Sequence, residues 1–418
     1  MPSSETVVCR ITQFFLWLMR KSYRVSRVIF RLAIPRYKVN FIKPYWGRTE
    51  FFCGLLHSDV RSGHSVEILT ENLRQKLNIT GVLIPTSSGR TAFELALRVL
   101  KKKQSARQKV IIPTYGCRGT FDPVINAGLI PVFADIDENL NVSVDSVRNH
   151  LKEDTLAILV PHLCGCKARI EEIVSMAHAK NVFVIEDACQ ALGGKDGGFF
   201  LGKWGDMSIF SFGMGKNLMA TAGGVLASSI FAEDVRKEAQ MLGKEDTALV
   251  KRRFRRTVFK YFFRPVLNID RYRLSAYTYS EMHPVDAKLI CAQLDRLEDI
   301  LEKRKENAQK VIEALHRTGL RCALQDEEDH VYTKLSVICE CPEDCCRLRN
   351  ALHTGGVETE GMYTPLHLQG CAAEYSTREG LPHSERICTN VLNIPVRPNL
   401  SEKELNRILK AIGCARSE

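Results

Sequence analysis

The stretch "SFGMGKNLMATAGG", residues 211–224, holds one charged side chain, Lys216, among four glycines and mostly apolar neighbours. An ammonium there has two uses. Its stem can pack while its head reaches water, or it can be desolvated enough to serve as a free amine that attacks an aldehyde. Two phosphate motifs are excluded. A P-loop ending on this lysine needs Gly at 210 and Ser or Thr at 217, where the chain has Phe210 and Asn217. A dinucleotide fingerprint from Gly213 needs Gly or Ala at 218, where the chain has Leu218.

Other residues with chemical potential precede the lysine. Asp187 ends the apolar run of "VFVIEDACQALGG", a costly place for a carboxylate unless a cation compensates it or it caps the next turn. Glu186 beside it alternates to the opposite face and reads as a structural ion pair. In "PTSSGRTAFELAL", Ser87, Ser88 and Gly89 lie between a strand and a helix whose first turn holds Arg90 and Thr91. Free N–H groups there attract an anion, although a plain helix cap looks the same. Ser211, five residues before the lysine, is a candidate hydroxyl for that anion, and Tyr115 in "IIPTYGC" a candidate flat side chain. The chain order is phosphate loop, aromatic, acid, serine, lysine. Pyridoxal phosphate demands such a set: a lysine for an imine, a carboxylate at the pyridinium nitrogen, phosphate donors and a stacking ring.

These residues need elements that bring them to one place. From residue 80 short apolar runs alternate with amphipathic helices: "GVLIP", "KVIIPTYG", "IPVFADID", "TLAILVPHL" and "VFVIEDAC" as strands, then "MSIFSFG" and "GGVLASS". Such alternation predicts a mostly parallel sheet covered on both faces, with functional residues at the carboxyl ends of its strands. One long helix is expected over 285–316, and the strands and helices after it predict a smaller α+β domain. The domain expectation is a basic N-terminal extension (1–49), a large α/β domain (50–284, with a basic insertion at 249–273) and the linking helix with the small domain (285–418).

At this point the chain resembles the DegT/DnrJ/StrS sugar aminotransferases, pyridoxal-phosphate enzymes of fold type I. The resemblance rests on "SSGRTAFELAL", "VIIPTYGCRGTFDPVINAGLIPVFADID", "VPHLCG", "VIEDACQALGG", "GDMSIFSFGMGKNLMATAGGVLAS", "AQLDRLEDILEKRKENA", "YTPLHLQG" and "VLNIPVRPNLSEKELNRI". It implies that Lys216 carries the cofactor and shuttles the proton, and that Asp187 keeps the ring nitrogen protonated. Gln190 would sit near the ring, Tyr115 would stack on it, and Gly89, Arg90, Thr91 and Ser211 would surround the phosphate. His162 and His367 would be candidates for the substrate side. It further implies a homodimer, glutamate as amino donor and a keto sugar, usually nucleotide-linked, as acceptor, in polysaccharide, glycolipid or secondary-metabolite synthesis. Two other outcomes are compatible: a dehydratase or lyase on the same scaffold, although such relatives tend to replace the lysine, or a non-catalytic cofactor-binding regulator. Two departures stand out. Tyr279 and Glu281 in "YTYSEM" replace an asparagine and an arginine of the family, the former a cross-subunit phosphate ligand. Arg90 occupies a position that usually holds a small hydroxyl residue, and its side chain is expected to neutralise part of the phosphate charge.

The net charge of +11 over 418 residues is concentrated in two segments. Residues 1–49 hold ten Lys or Arg against Glu5, and residues 249–273 hold nine against Asp270, which leaves the rest of the chain mildly acidic. Arg20, Arg24, Arg27 and Arg31 share one helical face, Leu18, Val25, Ile29 and Leu32 another. In the second segment Arg252, Arg256 and Lys260 align, as do Phe254, Val258 and Phe262. The pattern suits an anionic membrane surface or packing with charges outward. Nucleic acid is not expected, since the body is acidic and carries no matching motif. Fifteen irregularly spaced cysteines point to reduced thiols and a cytoplasmic location, with attachment at the inner face of the membrane as a further expectation. The Cys339, Cys341, Cys345 and Cys346 spacing matches no standard zinc pattern, so no metal is expected.

Overall fold

In a computed structural model, residues 37–51, 64–258, 278–325, 330–361, 363–375 and 381–415 are described. The apolar runs form the strands of a seven-stranded sheet: β1 (Val82–Thr86), β2 (Lys109–Pro113), β3 (Ile130–Ala134), β4 (Thr155–Pro161), β5 (Phe183–Asp187), then, beyond a small hairpin of β6 (Lys195–Asp196) and β7 (Phe199–Phe200), β8 (Met207–Ser211) and β9 (Gly224–Ser228). The order is β1-β9-β8-β5-β4-β2-β3. Only β9 runs against the others, pairing antiparallel with both β1 and β8. Six strands therefore end at the same edge. All seven residues of β4 are buried, as expected where helices cover both faces. Alternation divides the strands between two cores: Val110 and Ile112 join one cluster, Ile111, Ile158 and Val160 the other.

The helix Gly89–Lys103 lies on the first of these faces. Ser88 caps it by accepting the Thr91 N–H, and nearly every apolar residue from Ala92 to Leu100 is buried. Its N-terminus thus sits at the edge where β1, β5 and β8 end.

The expected long helix is two helices, Pro284–Leu294 and Leu297–His316. They part at Arg296, which leaves helical geometry and pairs with the buried carboxylate of Glu50. The first helix packs among Leu218, Met219 and Val225 of the large domain, whereas the second runs from that core at Ile300 into the small domain's core at Val311 and Leu315. The small domain has an antiparallel sheet of β10 (Cys322–Leu324), β11 (Leu335–Cys339), β13 (Val391–Ile394) and β12 (Glu360–Gly361), in that order.

The basic segments divide. Residues 1–36 and 259–277 lie outside the described residues, and with them the Arg20–Arg31 and Leu18–Leu32 faces, Lys260 and Phe262. Residues 247–258 form a helix whose apolar side, Val250, Phe254 and Val258, is buried in the large domain's core. Phe254 stacks on Trp46 at 5.7 Å between ring centroids. Of the two readings for this segment, packing with charges outward holds for Phe254 and Val258 and the membrane surface does not: the chain's own core occupies that face, while Arg252, Arg255 and Arg256 are exposed.

Candidate active site

Side-chain alternation along β5 sets the site. Phe183 and Ile185 enter the core under the helix Gly89–Lys103, so Asp187 projects on that same face and Glu186 on the other. Asp187 Oδ1 accepts the Cys189 N–H at 2.9 Å, and among the described residues the carboxylate has no cationic partner at ion-pair distance. Ser211 ends the adjacent β8. A Cβ on Gly89 would lie 2.9 Å from Cys189 Sγ and 3.1 Å from Ser211 Cβ, so glycine lets the helix N-terminus approach both.

Lys216 follows β8 in a tight loop. Its N–H donates to the Gly213 carbonyl at 3.2 Å, and Gly215 takes a left-handed backbone conformation with φ of 90°. The Tyr45 hydroxyl donates to the Lys216 carbonyl at 2.8 Å and to that of Asn217. Gly224, where the chain re-enters the sheet, passes so close to Ser88 that a Cβ would lie 2.3 Å from its carbonyl carbon. Among the described residues the half-buried Lys216 amine takes no hydrogen bond or ion pair. Lys216 and Asp187 both act on the Cys189 thiol. Burial and then the Asp187 carboxylate push this thiol well above its ordinary value, and the Lys216 charge opposes them. Lys216 also acts on the buried Cys164 thiol.

Gln190 stands beside this group. Its Oε1 accepts the Cys164 N–H at 3.1 Å, and its carbonyl takes the Thr333 hydroxyl of the small domain at 2.5 Å. Arg90 extends over the loop after β2, its Cγ 3.0 Å from where a Gly119 Cβ would be, next to Cys117.

Four expected ligands are directed elsewhere. Thr91 is buried and its hydroxyl bonds to Ser87, Ser88 and the Thr278 carbonyl, because it serves the helix cap. Tyr115 is 1% exposed and packs edge-on to Tyr363 with Leu163, Ile387 and Val391, so it offers no open face for stacking. His162 is fully buried; its Nδ1 accepts the Ala168 N–H at 3.0 Å and its Nε2 bonds Glu186 at 2.9 Å. His367 bridges Thr114 and Glu385 through its two ring nitrogens, latching its segment to the end of β2. Tyr279 cannot replace the missing asparagine in this geometry: its hydroxyl donates to Glu238 at 3.4 Å and its ring lies under Arg98.

Sequence reading missed Cys189 and Cys117. Cys189 lies two residues after the acid, inside the quoted motif, and its position under the helix N-terminus is a tertiary fact. Lys334 was also missed: it contributes a cation from the small domain, paired with Glu360 at 2.7 Å and acting on Cys164.

The residues present fit pyridoxal phosphate. A lysine amine and a strand-end carboxylate, each without an ion-pair partner among the described residues, both act electrostatically on the Cys189 thiol. The Ser211 hydroxyl and a helix N-terminus stand beside them. Sheet order and site together define a pyridoxal-phosphate-dependent enzyme of fold type I.

Comparison narrows the class. The chain belongs to the DegT/DnrJ/EryC1/StrS aminotransferase family, which matches residues 54–413. A GDP-perosamine synthase of Escherichia coli O157:H7 is 26% identical over 82% of this chain and 88% of its own length. Among solved structures, the PMP form of a putative sugar aminotransferase from Streptococcus pneumoniae superposes with a TM-score of 0.74 at 20% identity, covering 90% of this chain and 98% of that one. An E. coli GDP-4-keto-6-deoxy-D-mannose-3-dehydratase with bound hydrated PLP shares the fold with a TM-score of 0.73 at 18% identity, over 90% of this chain and all of that one.

Proposed function

We propose that the protein transfers an amino group from glutamate to the carbonyl carbon of a keto sugar, carried on a nucleotide, for polysaccharide, glycolipid or secondary-metabolite synthesis. The observation that carries this reading is that Lys216 and Asp187, neither with an ion-pair partner among the described residues, both act on the Cys189 thiol under the N-terminus of the helix Gly89–Lys103. Pyridoxal phosphate, when bound, supplies the electron sink that makes the proton on the amine-bearing carbon acidic. Asp187 keeps a positive charge on the ring nitrogen. Lys216 Nζ, free of any counter-ion here, takes that proton and returns it to the other carbon of the transfer. Ser211, the Gly89 end of its helix and the Arg90 side chain receive the phosphate. Arg90 is assigned that task by its place in the first turn of the helix, against the loop after β2. Arg90→Ala is expected to weaken cofactor binding about tenfold, the worth of one charge-assisted bond. Unchanged cofactor affinity by equilibrium dialysis would remove Arg90 from the site.

The reading includes a cytoplasmic homodimer. The thirteen described cysteines are all unpaired, in keeping with reduced thiols. No described helix is long and apolar enough to cross a membrane. Attachment to an anionic surface would rest on residues 1–36 and 259–273, since Phe254 and Val258 are occupied.

The test is a visible spectrum of purified protein before and after glutamate, followed by a screen of keto-sugar nucleotides. Loss of the imine band with glutamate, restored by one keto sugar, is the expected result. A band that glutamate leaves unchanged would point to the dehydratase or lyase chemistry of the shared fold, and colourless protein inert to amino donors to a non-catalytic role.

A further inference from the structure

Arg253 lies in the middle of the basic run "KRRFRR", yet it does not face solvent like Arg252, Arg255 and Arg256. Its guanidinium turns inward. Nη2 bonds Asp286 Oδ2 at 2.8 Å, Nη1 and Nη2 bond the two Glu245 oxygens at 3.0 and 3.1 Å, and Nε donates to the Thr221 hydroxyl at 2.9 Å. Asp286, 1% exposed, uses its other oxygen on the loop that carries the lysine. Oδ1 accepts the Thr221 N–H at 3.0 Å, the Thr221 hydroxyl at 2.6 Å and the Ala222 N–H at 3.2 Å. Burial opposes the charge on Arg253, but Asp286 and Glu245 outweigh it and hold the guanidinium above its ordinary value.

The clamp acts on a short lever. Ala220, next to Thr221, donates its N–H to the Phe212 carbonyl at 2.6 Å and so closes the loop around Lys216. Met219 is held by the Gln293 amide through two bonds, 3.1 and 2.8 Å, and by Trp46 at 2.8 Å. Within the loop these contacts reach Met219 alone. Asp286 is the acceptor for three donors at the loop's far end, and the Arg253 guanidinium meets its other oxygen at 2.8 Å.

We propose that Arg253 and Asp286 are positioning residues for Lys216, fixing residues 221–222 so that the lysine amine is placed against the cofactor. The assignment rests on the reading of Lys216 as the cofactor-bearing lysine. It gives one arginine of the basic insertion a task distinct from its exposed neighbours.

Three variants test it: Arg253→Met, Arg253→Lys and, on the exposed side of the same helix, Arg256→Met. The readouts are the cofactor dissociation constant by equilibrium dialysis, the fraction of cofactor trapped on Lys216 by borohydride and mapped by mass spectrometry, and kcat and KM separately. Arg253→Met is expected to bind cofactor about 10- to 100-fold more weakly, to trap less of it and to lose kcat with little change in KM for glutamate. Arg253→Lys recovers most of this, and Arg256→Met equals the wild type. If Arg253→Met does not fold, Asp286→Asn, which keeps the shape of the acid, carries the same test. A folded variant with wild-type cofactor affinity and trapping overturns the proposal alone. A wild type that takes up no cofactor overturns the reading of Lys216, and the proposal with it.

Discussion

Lys216→Ala is expected to leave a folded protein whose amino transfer falls by at least ~10⁴-fold, since both the covalent attachment and the proton transfer are lost. The fold should survive because the amine makes no hydrogen bond or ion pair among the described residues, whereas the loop around it is held by backbone contacts to Tyr45, Trp46, Gln293 and Asp286. The absorption band of the lysine-linked cofactor disappears at the same time. Activity within tenfold of wild type would show that another amine does the work, and Lys334 would be the next to examine. Lys216→Arg separates two contributions. It restores a cation beside Cys189 but neither a nucleophile nor a proton carrier, because guanidinium keeps its proton. If the arginine variant were active, the lysine would be acting through its charge alone.

The placement of Gly89, Asp187, Ser211 and Lys216 at one edge of the sheet was legible because each ends or follows a strand whose apolar run is visible in the sequence. In a sheet of six codirectional strands those positions share an edge whatever the strand order. The orientation of Asp187 was legible from alternation alone. What the sequence does not show is competition for a side chain. Thr91 could bond a phosphate or complete a cap, and only the approach of the Thr278 carbonyl decides it. Tyr115 could stack or pack, and Tyr363, from the small domain, takes its edge. His367 and Tyr279 likewise have partners, Glu385 and Glu238, that are distant in sequence. The break at Arg296 escapes the helical period because it depends on a carboxylate at Glu50, outside the helix. The same blindness applies to Phe254 and Val258. Their spacing announces an apolar face, and whether lipid or protein covers it depends on Trp46.

Glu186→Ala is expected to cost about 3–5 kcal/mol of stability, because one buried carboxylate serves four donors and each donor left unsatisfied costs roughly 1–3 kcal/mol. The carboxylate is fully buried on the face of β5 away from the site. Oε1 bonds His162 Nε2 at 2.9 Å and the Gly202 N–H at 2.5 Å, and Oε2 takes the N–H groups of Trp204 and Gly205 at 2.7 and 3.1 Å. His162 is a committed donor here. Its Nδ1 accepts a backbone N–H from Ala168, so the hydrogen is on Nε2 and faces Glu186. Truncation therefore strands four donors at once, each costing roughly 1–3 kcal/mol if it finds no water. Glu186→Gln keeps the volume but turns an NH₂ toward N–H groups, and should lose an intermediate amount in urea titration. Acid provides the stronger check. Burial pushes the Glu186 carboxyl up, but the His162 bond and the Gly202 and Gly205 N–H groups outweigh it and hold it below its ordinary value of 4.5. Its stabilising contribution is therefore complete above pH 4.5 and is lost as the pH falls through the lower, folded-state value. The stability gap between wild type and Glu186→Gln should be flat above that pH and should narrow below it. A gap that widened in acid would mean that the carboxyl is protonated in the folded protein and that the network is held by something else. Function should follow stability at one remove. Glu186 precedes Asp187 on the same strand, and the Asp187 carbonyl accepts the His162 N–H at 3.1 Å. Loosening the buried side of β5 thus moves Asp187, the acid proposed for the cofactor's ring nitrogen, and on that proposal the variant should bind pyridoxal phosphate more weakly even under conditions where it remains folded.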